Sequence, residues 1–143
     1  MNAYVLGFLF NETRDKVLLI HKLRPEWQKG MLNGVGGHIE DEETPYDAMG
    51  REFKEETGVY IPNWEHCITL ISSKANWLVM IYRNYGAGNV TIKRCQSITD
   101  EKISIENINN LPEKCIPNLR WIIPILNDNL KFPLTIVDEG YGE

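Results

Sequence analysis

Residues 37–59 read GHIEDEETPYDAMGREFKEETGV and contain the pattern that decides the fold. Thr44 suits the N-cap position of a helix, because its hydroxyl can accept a hydrogen bond from a backbone amide of the first turn. Pro45 suits the first helical position, and Gly58 suits the left-handed position after the last turn. Together these signals predict a helix over residues 45–57.

Three glutamates lie three and four residues apart in the last turns of this predicted helix, namely Glu52, Glu55 and Glu56. Like charges at this spacing destabilise a helix by ~0.2–0.5 kcal/mol per pair, and acidic side chains near the C-terminus oppose the helix dipole. A local conflict of this kind is expected where function requires it. Mg²⁺ prefers oxygen ligands and would neutralise the cluster and bridge it to a phosphate. The alternative is a hydrated acidic face, but such faces usually carry Lys or Arg at i+4, and here only Arg51 to Glu55 does so.

The whole stretch resembles the Nudix box of the Nudix hydrolase superfamily. That pattern is a glycine, five residues, a glutamate, seven residues, and then Arg-Glu-apolar-x-Glu-Glu-x-Gly-apolar. Here it begins at Gly37, has Glu43 at its first acidic position and has Arg51 before the glutamates. Phe53 is a mild departure, an aromatic residue where an aliphatic one is more usual. The resemblance implies the α+β class, as one Nudix domain over residues 1–143 that forms an α/β/α sandwich around a mixed β-sheet.

The resemblance also implies an activity, which is hydrolysis of a nucleoside diphosphate linked to another group, with Mg²⁺ as cofactor and Mn²⁺ as a substitute. Transferred by position, the metal ligands are Glu52, Glu55, Glu56 and the carbonyl oxygen of Gly36. Arg51 would hold Glu43 and orient the helix, so both are candidate catalytic residues. Family members differ in which glutamate takes the proton from water, and we expect Glu55 first and Glu52 second.

Positions outside the box resemble the MutT-like branch, which hydrolyses oxidised purine nucleoside triphosphates. Residues 27–37 align without gaps to a member of that branch, in which the residue matching Asn33 contacts the purine. Asn118 falls where the branch places an Asn or Asp that reads the base edge, although the same residue also suits a helix N-cap. Trp27 either stacks on the base or lies in the core or at the rim of the fold. The implied substrate is a purine nucleoside triphosphate, cleaved to monophosphate and pyrophosphate.

Two further regions supply candidate residues. Residues 33–37 are predicted to form a glycine-rich loop whose backbone can approach a ligand closely, which makes Gly37 a candidate substrate contact. Many Nudix enzymes take one more acidic ligand from outside the box, and Glu101 is our candidate ahead of Asp100, with hydrated surface acids as the alternative. Lys22 is either a phosphate contact or a solvated lysine.

Apolar runs predict the remaining elements. Residues 4–10 and 16–23 are predicted to form a β-hairpin. Later strands are predicted at 68–72, 77–85 and 89–98, with a turn at 86–88. Apolar spacing over 118–130 predicts a C-terminal helix, in which Pro124 produces a kink or marks the true start.

Composition limits the function further. A chain of 143 residues has room for one domain, and a net charge of −5 argues against binding to long nucleic acid. Cys67, Cys95 and Cys115 are odd in number and widely spaced, so neither a disulfide framework nor a zinc site is indicated. The sequence shows no signal peptide and no apolar run of membrane-spanning length, so we expect a cytoplasmic protein with no membrane partner. A small nucleotide is the expected partner, and the resemblance allows a homodimer.

Other functions share these features, because one scaffold serves many substrates. Within the same reaction class the alternatives are a nucleotide sugar, ADP-ribose, a dinucleoside polyphosphate or an mRNA cap. From another class comes a regulatory module that binds nucleotides without turnover.

Overall fold

A computed structural model of the chain describes residues 1–86 and 92–139. The strands are β1 (Asn2–Phe10), β2 (Lys16–His21), β3 (Leu32–Asn33), β4 (Val35–His38), β5 (Glu65–Ser72), β6 (Trp77–Asn84), β7 (Ile103–Asn107) and β8 (Leu134–Asp138). The helices are α1 (Pro45–Thr57) and α2 (Leu119–Leu126), and short 3₁₀ turns lie at Glu26–Gln28 and Ile92–Arg94.

The strands form one mixed sheet in the order β3-β2-β1-β6-β5-β8, with β4 added to β1 and β7 added to β2. One edge of β1 pairs in parallel with β6, from Asn2 opposite Trp77 to Leu9 opposite Asn84. The other edge of β1 is shared, because its last two residues pair antiparallel with β2 and residues 4–7 pair antiparallel with β4. The glycine-rich strand β4 is therefore hydrogen-bonded directly to the central strand.

The two helices cover opposite faces of this sheet. Successive side chains of a strand point to opposite faces, so β1 and β2 supply both cores. The core beneath α2 contains Phe8, Phe10, Val17 and Leu19. The core beneath α1 contains Val5, Leu9, Leu18 and Ile20. The predicted α/β/α sandwich with a mixed sheet is confirmed.

Helix α1 begins and ends where its capping residues predict. The Thr44 hydroxyl accepts a hydrogen bond from the Asp47 amide at 3.1 Å. Gly58 has φ of 79°, in the left-handed region, and its amide donates to the Lys54 carbonyl. The aromatic Phe53 is fully buried, and its ring centroid lies 5.1 Å from that of Trp64. The apolar core therefore has room for Phe53, the residue that departs from the usual pattern of the box.

The predicted glycine-rich loop is wrong for most of residues 33–37, because Val35–His38 forms β4. Glycine has a low strand propensity, but propensity yields to tertiary packing. At Gly36, an added Cβ would overlap the carbonyl of Val5 on β1. The absence of a side chain is what lets this strand approach the central strand.

The strand predicted at 89–98 is wrong for its described part, where Ile92–Arg94 is a 3₁₀ turn and residues 95–98 have no regular structure. Residues 89–91, and residues 87 and 88 of the predicted turn, lie outside the described residues. The sequence also missed β7 and β8. Both are only five residues long and contain no fully buried residue, although their sequences, ISIEN and LTIVD, alternate apolar and polar residues at the start.

The C-terminal helix is shorter than predicted and continues through Pro124. Proline removes one helical hydrogen bond, but Pro124 and Arg120 are both exposed, so water can satisfy the carbonyl of Arg120. The helix ends at Leu126, whose carbonyl accepts hydrogen bonds from Arg83 and from the Tyr85 hydroxyl at 2.7 Å. Neither helix in the described part of the chain has the length and apolar character needed to cross a bilayer.

Candidate active site

Arg51 is the centre of the polar network on α1. Its Nε and Nη2 donate to the two carboxylate oxygens of Glu43 at 2.7 and 2.9 Å, and Nη2 also donates to the His38 carbonyl at 3.0 Å. Hydrogen bonding from Arg51 holds the pKa of Glu43 below its usual value. This two-pronged pair joins the loop before α1, the helix and β4, as the sequence pattern predicts.

The remaining nitrogen of Arg51, Nη1, faces the box glutamates. It donates to Glu52 at 3.0 Å and makes a longer contact of 3.3 Å with Glu55. The Glu52 side chain is 14% exposed and that of Glu55 is 56% exposed. Burial raises the pKa of Glu52 above its usual value, and the charges of Glu55 and Glu56 add to that effect.

Glu56 has a partner that the sequence did not reveal. Its carboxylate accepts a hydrogen bond from the Thr99 hydroxyl at 2.9 Å. Burial raises the pKa of Glu56, and the nearby charge of Glu101 contributes in the same direction. A threonine in a polar segment carries no distinctive signal, and the contact spans 43 positions of sequence.

The donor chemistry of these glutamates fits a hard divalent cation. All three supply carboxylate oxygens, and a cation would offset the burial and repulsion that raise the pKa of Glu52 and Glu56. In the arrangement described, no three His, Cys, Asp or Glu side chains of residues 1–86 and 92–139 converge closely enough to share an ion. Arg51 binds one oxygen of Glu52 and Thr99 binds one oxygen of Glu56, which leaves the second oxygen of each carboxylate for an ion.

Two glycines of β4 connect the glutamates to a cavity. A Cβ on Gly37 would overlap the Glu52 carboxylate, so any larger residue would displace that side chain. Gly36 and Gly37 also line a cavity of about 600 Å³. The acidic cluster and this cavity therefore share a wall.

The cavity is mainly apolar, with a few polar groups at defined places. Strands β1, β5 and β6 and helix α2 supply its aliphatic walls, and its polar lining includes Lys22, Arg24, Gln28, Asn33 and Asn118. None of its described lining residues is Asp or Glu. All four predicted substrate contacts, Trp27, Asn33, Gly37 and Asn118, line this cavity. Their convergence from three separate parts of the chain supports a binding site, as expected for a concave apolar pocket with few polar groups.

The two asparagines are held by specific hydrogen bonds. Asn33 is 9% exposed, accepts from the Gly34 amide at 2.8 Å and donates to Gln28 at 3.0 Å. Asn118 precedes α2, but its side chain caps no backbone amide of the helix. It accepts a hydrogen bond from the Trp121 indole at 3.1 Å instead. Asn118 therefore occupies the N-cap position of α2, as the alternative interpretation expects, but its side chain does not cap the helix.

Trp27 lies in the 3₁₀ turn and is 68% exposed. Exposure of this size excludes the core interpretation and places the indole at the rim of the cavity. Whether it stacks on a base stays a prediction.

Glu101 is buried and anchors a neighbouring segment. Its side chain is 5% exposed and accepts hydrogen bonds from the Leu23 amide at 2.6 Å, the Arg24 amide at 3.2 Å and the Lys22 ammonium at 3.0 Å. Burial raises the pKa of Glu101, but these hydrogen bonds outweigh it and hold the pKa below its usual value. Glu101 and Lys22 are therefore not hydrated surface residues, whereas Asp100 is exposed and pairs with Arg24. A metal-ligand role for Glu101 stays a prediction.

Comparison with known proteins defines the class. The family model of the NUDIX domain matches residues 2–107, and the chain belongs to this family. In Bacillus subtilis (strain 168), the uncharacterized Nudix hydrolase YvcI is 44% identical over 52 residues, which are 36% of this chain and 30% of that relative. The match thus covers less than a third of the relative.

Solved structures show the same fold. A MutT NUDIX hydrolase from Burkholderia pseudomallei has a TM-score of 0.72 at 16% identity, over 88% of this chain and 98% of that one. A MutT protein from Bacillus halodurans has a TM-score of 0.69 at 21% identity, over 96% and 90%. The NUDIX domain of Shewanella oneidensis NrtR, solved with ADP ribose, has a TM-score of 0.68 at 19% identity, over 87% and 84%. Identities this low establish the fold alone.

Proposed function

We propose that this chain hydrolyses the diphosphate linkage of a nucleoside diphosphate derivative with Mg²⁺, for which Mn²⁺ can substitute. The first substrate to consider is a purine nucleoside triphosphate, oxidised or not, cleaved to monophosphate and pyrophosphate. One observation carries the proposal, namely that the Glu52 carboxylate lies where a Cβ on Gly37 would be, and that Gly37 also lines the cavity. A ligand whose base fills the cavity would therefore have its phosphates beside the acidic helix.

Each site residue has a separate role in this proposal. Glu52, Glu55, Glu56 and the Gly36 carbonyl would hold the ion, which supplies Lewis-acid polarisation of a phosphoryl oxygen. The Glu55 side chain is more exposed than that of Glu52, and its contact with Arg51 is longer. We therefore assign Glu55 as the base that accepts the proton of the attacking water. Arg51 and Glu43 orient the helix. Lys22 and Arg24 line the cavity and supply positive charge for phosphate.

A second candidate is a module that binds nucleotides without turnover. The observation in its favour is that the box glutamates do not converge on one point in the described part of the chain, while Arg51 and Thr99 each hydrogen-bond to one of them. The NUDIX domain of Shewanella oneidensis NrtR, complexed with ADP ribose, makes that ligand a specific one to test. A cytoplasmic location, a homodimer and a single domain over residues 1–143 stay predictions.

A substrate panel with product identification tests the proposal. The panel contains canonical and oxidised nucleoside triphosphates, nucleotide sugars, ADP-ribose, dinucleoside polyphosphates and capped RNA, each with Mg²⁺. We expect phosphate-containing products from at least one substrate. Tight binding without product for every compound would favour the module.

Two matched variants separate catalysis from folding. Glu56→Gln should lower kcat by several orders of magnitude with little change in the melting temperature, because the removed charge repels its neighbours. Glu113→Gln removes one exposed carboxylate far from the network and serves as the control for net charge. Unchanged turnover in Glu56→Gln would refute the assigned role.

Metal binding can be measured separately from turnover, through the melting temperature. Titration with Mg²⁺ or Mn²⁺ should raise the melting temperature of the wild-type protein, because an ion that binds only the folded state stabilises it. Glu52→Gln should reduce this shift. A wild-type protein that neither ion stabilises, with or without nucleotide, would contradict the metal assignment.

A further inference from the structure

We infer that Thr99 is a positioning residue for the proposed reaction, because its hydroxyl group holds one oxygen of the Glu56 carboxylate and leaves the other oxygen for the ion. The inference rests on the proposed function in one respect, which is that the box glutamates bind a divalent cation. Thr99 lies outside the box, 43 positions after Glu56 in the chain. It acts on the ion through Glu56 and is not itself a ligand.

The direction of the Thr99 hydroxyl group is set by its neighbours. The hydroxyl oxygen accepts a hydrogen bond from the Glu101 amide at 3.2 Å, and the group has a single proton left to donate. Two acceptors lie within reach of that proton, namely Oε2 of Glu56 at 2.9 Å and the Glu101 carbonyl at 3.3 Å. The charged acceptor at the shorter distance makes the stronger hydrogen bond. Thr99 therefore donates its proton to Glu56.

The segment that carries Thr99 is fixed at both ends. Before Thr99, the Gln96 amide donates at 3.1 Å to the carbonyl of Thr57, the last residue of α1. After it, the Glu101 side chain accepts a hydrogen bond from the Leu23 amide at 2.6 Å. The segment thus connects the end of α1 with the chain that follows β2. Because these contacts already order the segment, Thr99 can present its hydroxyl group to the carboxylate before any ion binds.

Thr99 holds Glu56 in the same way as Arg51 holds Glu52. Arg51 donates to Oε1 of Glu52 at 3.0 Å, and Thr99 donates to Oε2 of Glu56 at 2.9 Å. The second oxygen of each carboxylate accepts no hydrogen bond from residues 1–86 and 92–139. Mg²⁺ demands a strict ligand geometry, so a carboxylate that is already oriented binds it better than one that is free to rotate. Arg51 belongs to the box, whereas the box pattern does not specify Thr99.

Equilibrium binding of Mn²⁺ to the metal-free full chain tests the inference. The paramagnetic resonance signal of the free ion measures the dissociation constant without any turnover. Thr99→Val keeps the shape of the side chain and removes its hydroxyl group. Loss of a group that orients a metal ligand weakens metal binding, so we expect the dissociation constant to rise about 10-fold. An unchanged dissociation constant would overturn the inference.

Two matched variants separate positioning from general destabilisation. Thr99→Ser keeps the hydroxyl group and should bind Mn²⁺ as the wild type does. Thr44→Val removes the same kind of group at the other end of α1, where the Thr44 hydroxyl accepts from the Asp47 amide, and should leave the Mn²⁺ affinity unchanged. Weak binding in Thr99→Ser, or an equal loss in Thr44→Val, would overturn the inference.

A double-mutant cycle identifies the residue through which Thr99 acts. If Thr99 acts through Glu56, then Thr99→Val should have almost no effect on Mn²⁺ affinity in a protein that already carries Glu56→Gln. If Thr99 acts by supporting Glu101, the full loss should persist in that background. Persistence of the full loss would overturn the positioning of Glu56. Thr99→Ala, whose side chain is smaller, replaces Thr99→Val in every measurement if the valine variant fails to fold.

The outcomes also separate this inference from the proposed function. Mn²⁺ affinity that depends on the Thr99 hydroxyl group, without hydrolysis of any compound in the substrate panel, would uphold the inference and remove the proposed catalysis. Metal-dependent hydrolysis together with Mn²⁺ affinity that Thr99→Val does not change would do the reverse. A wild-type protein that binds no Mn²⁺ would overturn both.

Discussion

Replacing Glu101 by alanine should destabilise the protein by about 3 kcal/mol. The substitution removes the acceptor of three donors, the Leu23 and Arg24 amides and the Lys22 ammonium group. A buried donor without a partner costs ~1–3 kcal/mol. We take the lower end for each donor, because Leu23 and Arg24 are exposed residues and the Lys22 side chain is 17% exposed.

Urea unfolding followed by tryptophan fluorescence measures this loss. Glu55→Ala is the control, since its carboxylate is 56% exposed and its contact with Arg51 should contribute only ~0–1 kcal/mol. If Glu101→Ala unfolds within about 0.5 kcal/mol of the wild type but loses affinity for Mg²⁺, the anchoring role is wrong and Glu101 is a metal ligand.

Acidification gives a second check on the same residue. Because the folded-state pKa of Glu101 lies below the ordinary carboxyl value of 4.5, the stability it contributes is fully present above that pH. It is lost as the pH falls through the lower folded-state value. The difference in unfolding free energy between wild type and Glu101→Ala should therefore shrink on acidification below pH 4.5, and a difference that grows there would refute the reasoning.

Three further substitutions test the parts of the fold that hold the site. Thr44→Ala should cost about 1 kcal/mol in urea unfolding through loss of the N-cap, and an unchanged midpoint would mean that another group caps α1. Phe53→Ala should cost about 4 kcal/mol by leaving a cavity beside Trp64, and a loss below 1 kcal/mol would show that the core collapses into the space. Gly36→Ala should lower stability by about 3 kcal/mol, because the new Cβ meets the Val5 carbonyl, and a melting temperature equal to that of the wild type would contradict that overlap.

Local sequence signals were enough to predict the parts of the fold that depend on residues close together in the chain. Helix α1 runs from Pro45 to Thr57 because Thr44 and Gly58 cap it, and both residues are recognisable without a structure. The contact between Arg51 and Glu43, which the resemblance to the Nudix box implies, is also present in the structure.

Features that depend on contacts between residues far apart in the chain could not be predicted from the sequence. The sequence of β4 is typical of a loop, and its strand conformation depends on the close approach of Gly36 to β1. The short strands β7 and β8 form through pairing with β2 and β5, which are distant in the chain. In the site, the bond from Thr99 to Glu56 spans 43 positions, and the bond from the Leu23 amide to Glu101 spans 78. Asn33, a predicted substrate contact, lines the cavity, but only the structure shows its hydrogen bond to Gln28.

Because one edge of β1 pairs with both β2 and β4, the position of the acidic helix and part of the cavity lining depend on different segments of the chain. The acidic helix is tied through Arg51 to β4, and β4 is paired with the central strand, so a shift in this pairing would disturb the sheet and the position of the box glutamates together. The other side of the cavity is formed by α2 and by the 3₁₀ turn at Glu26–Gln28, which are not part of the β1–β4 pairing. Substitutions on that side can therefore change the lining of the cavity without disturbing the pairing that holds the box glutamates.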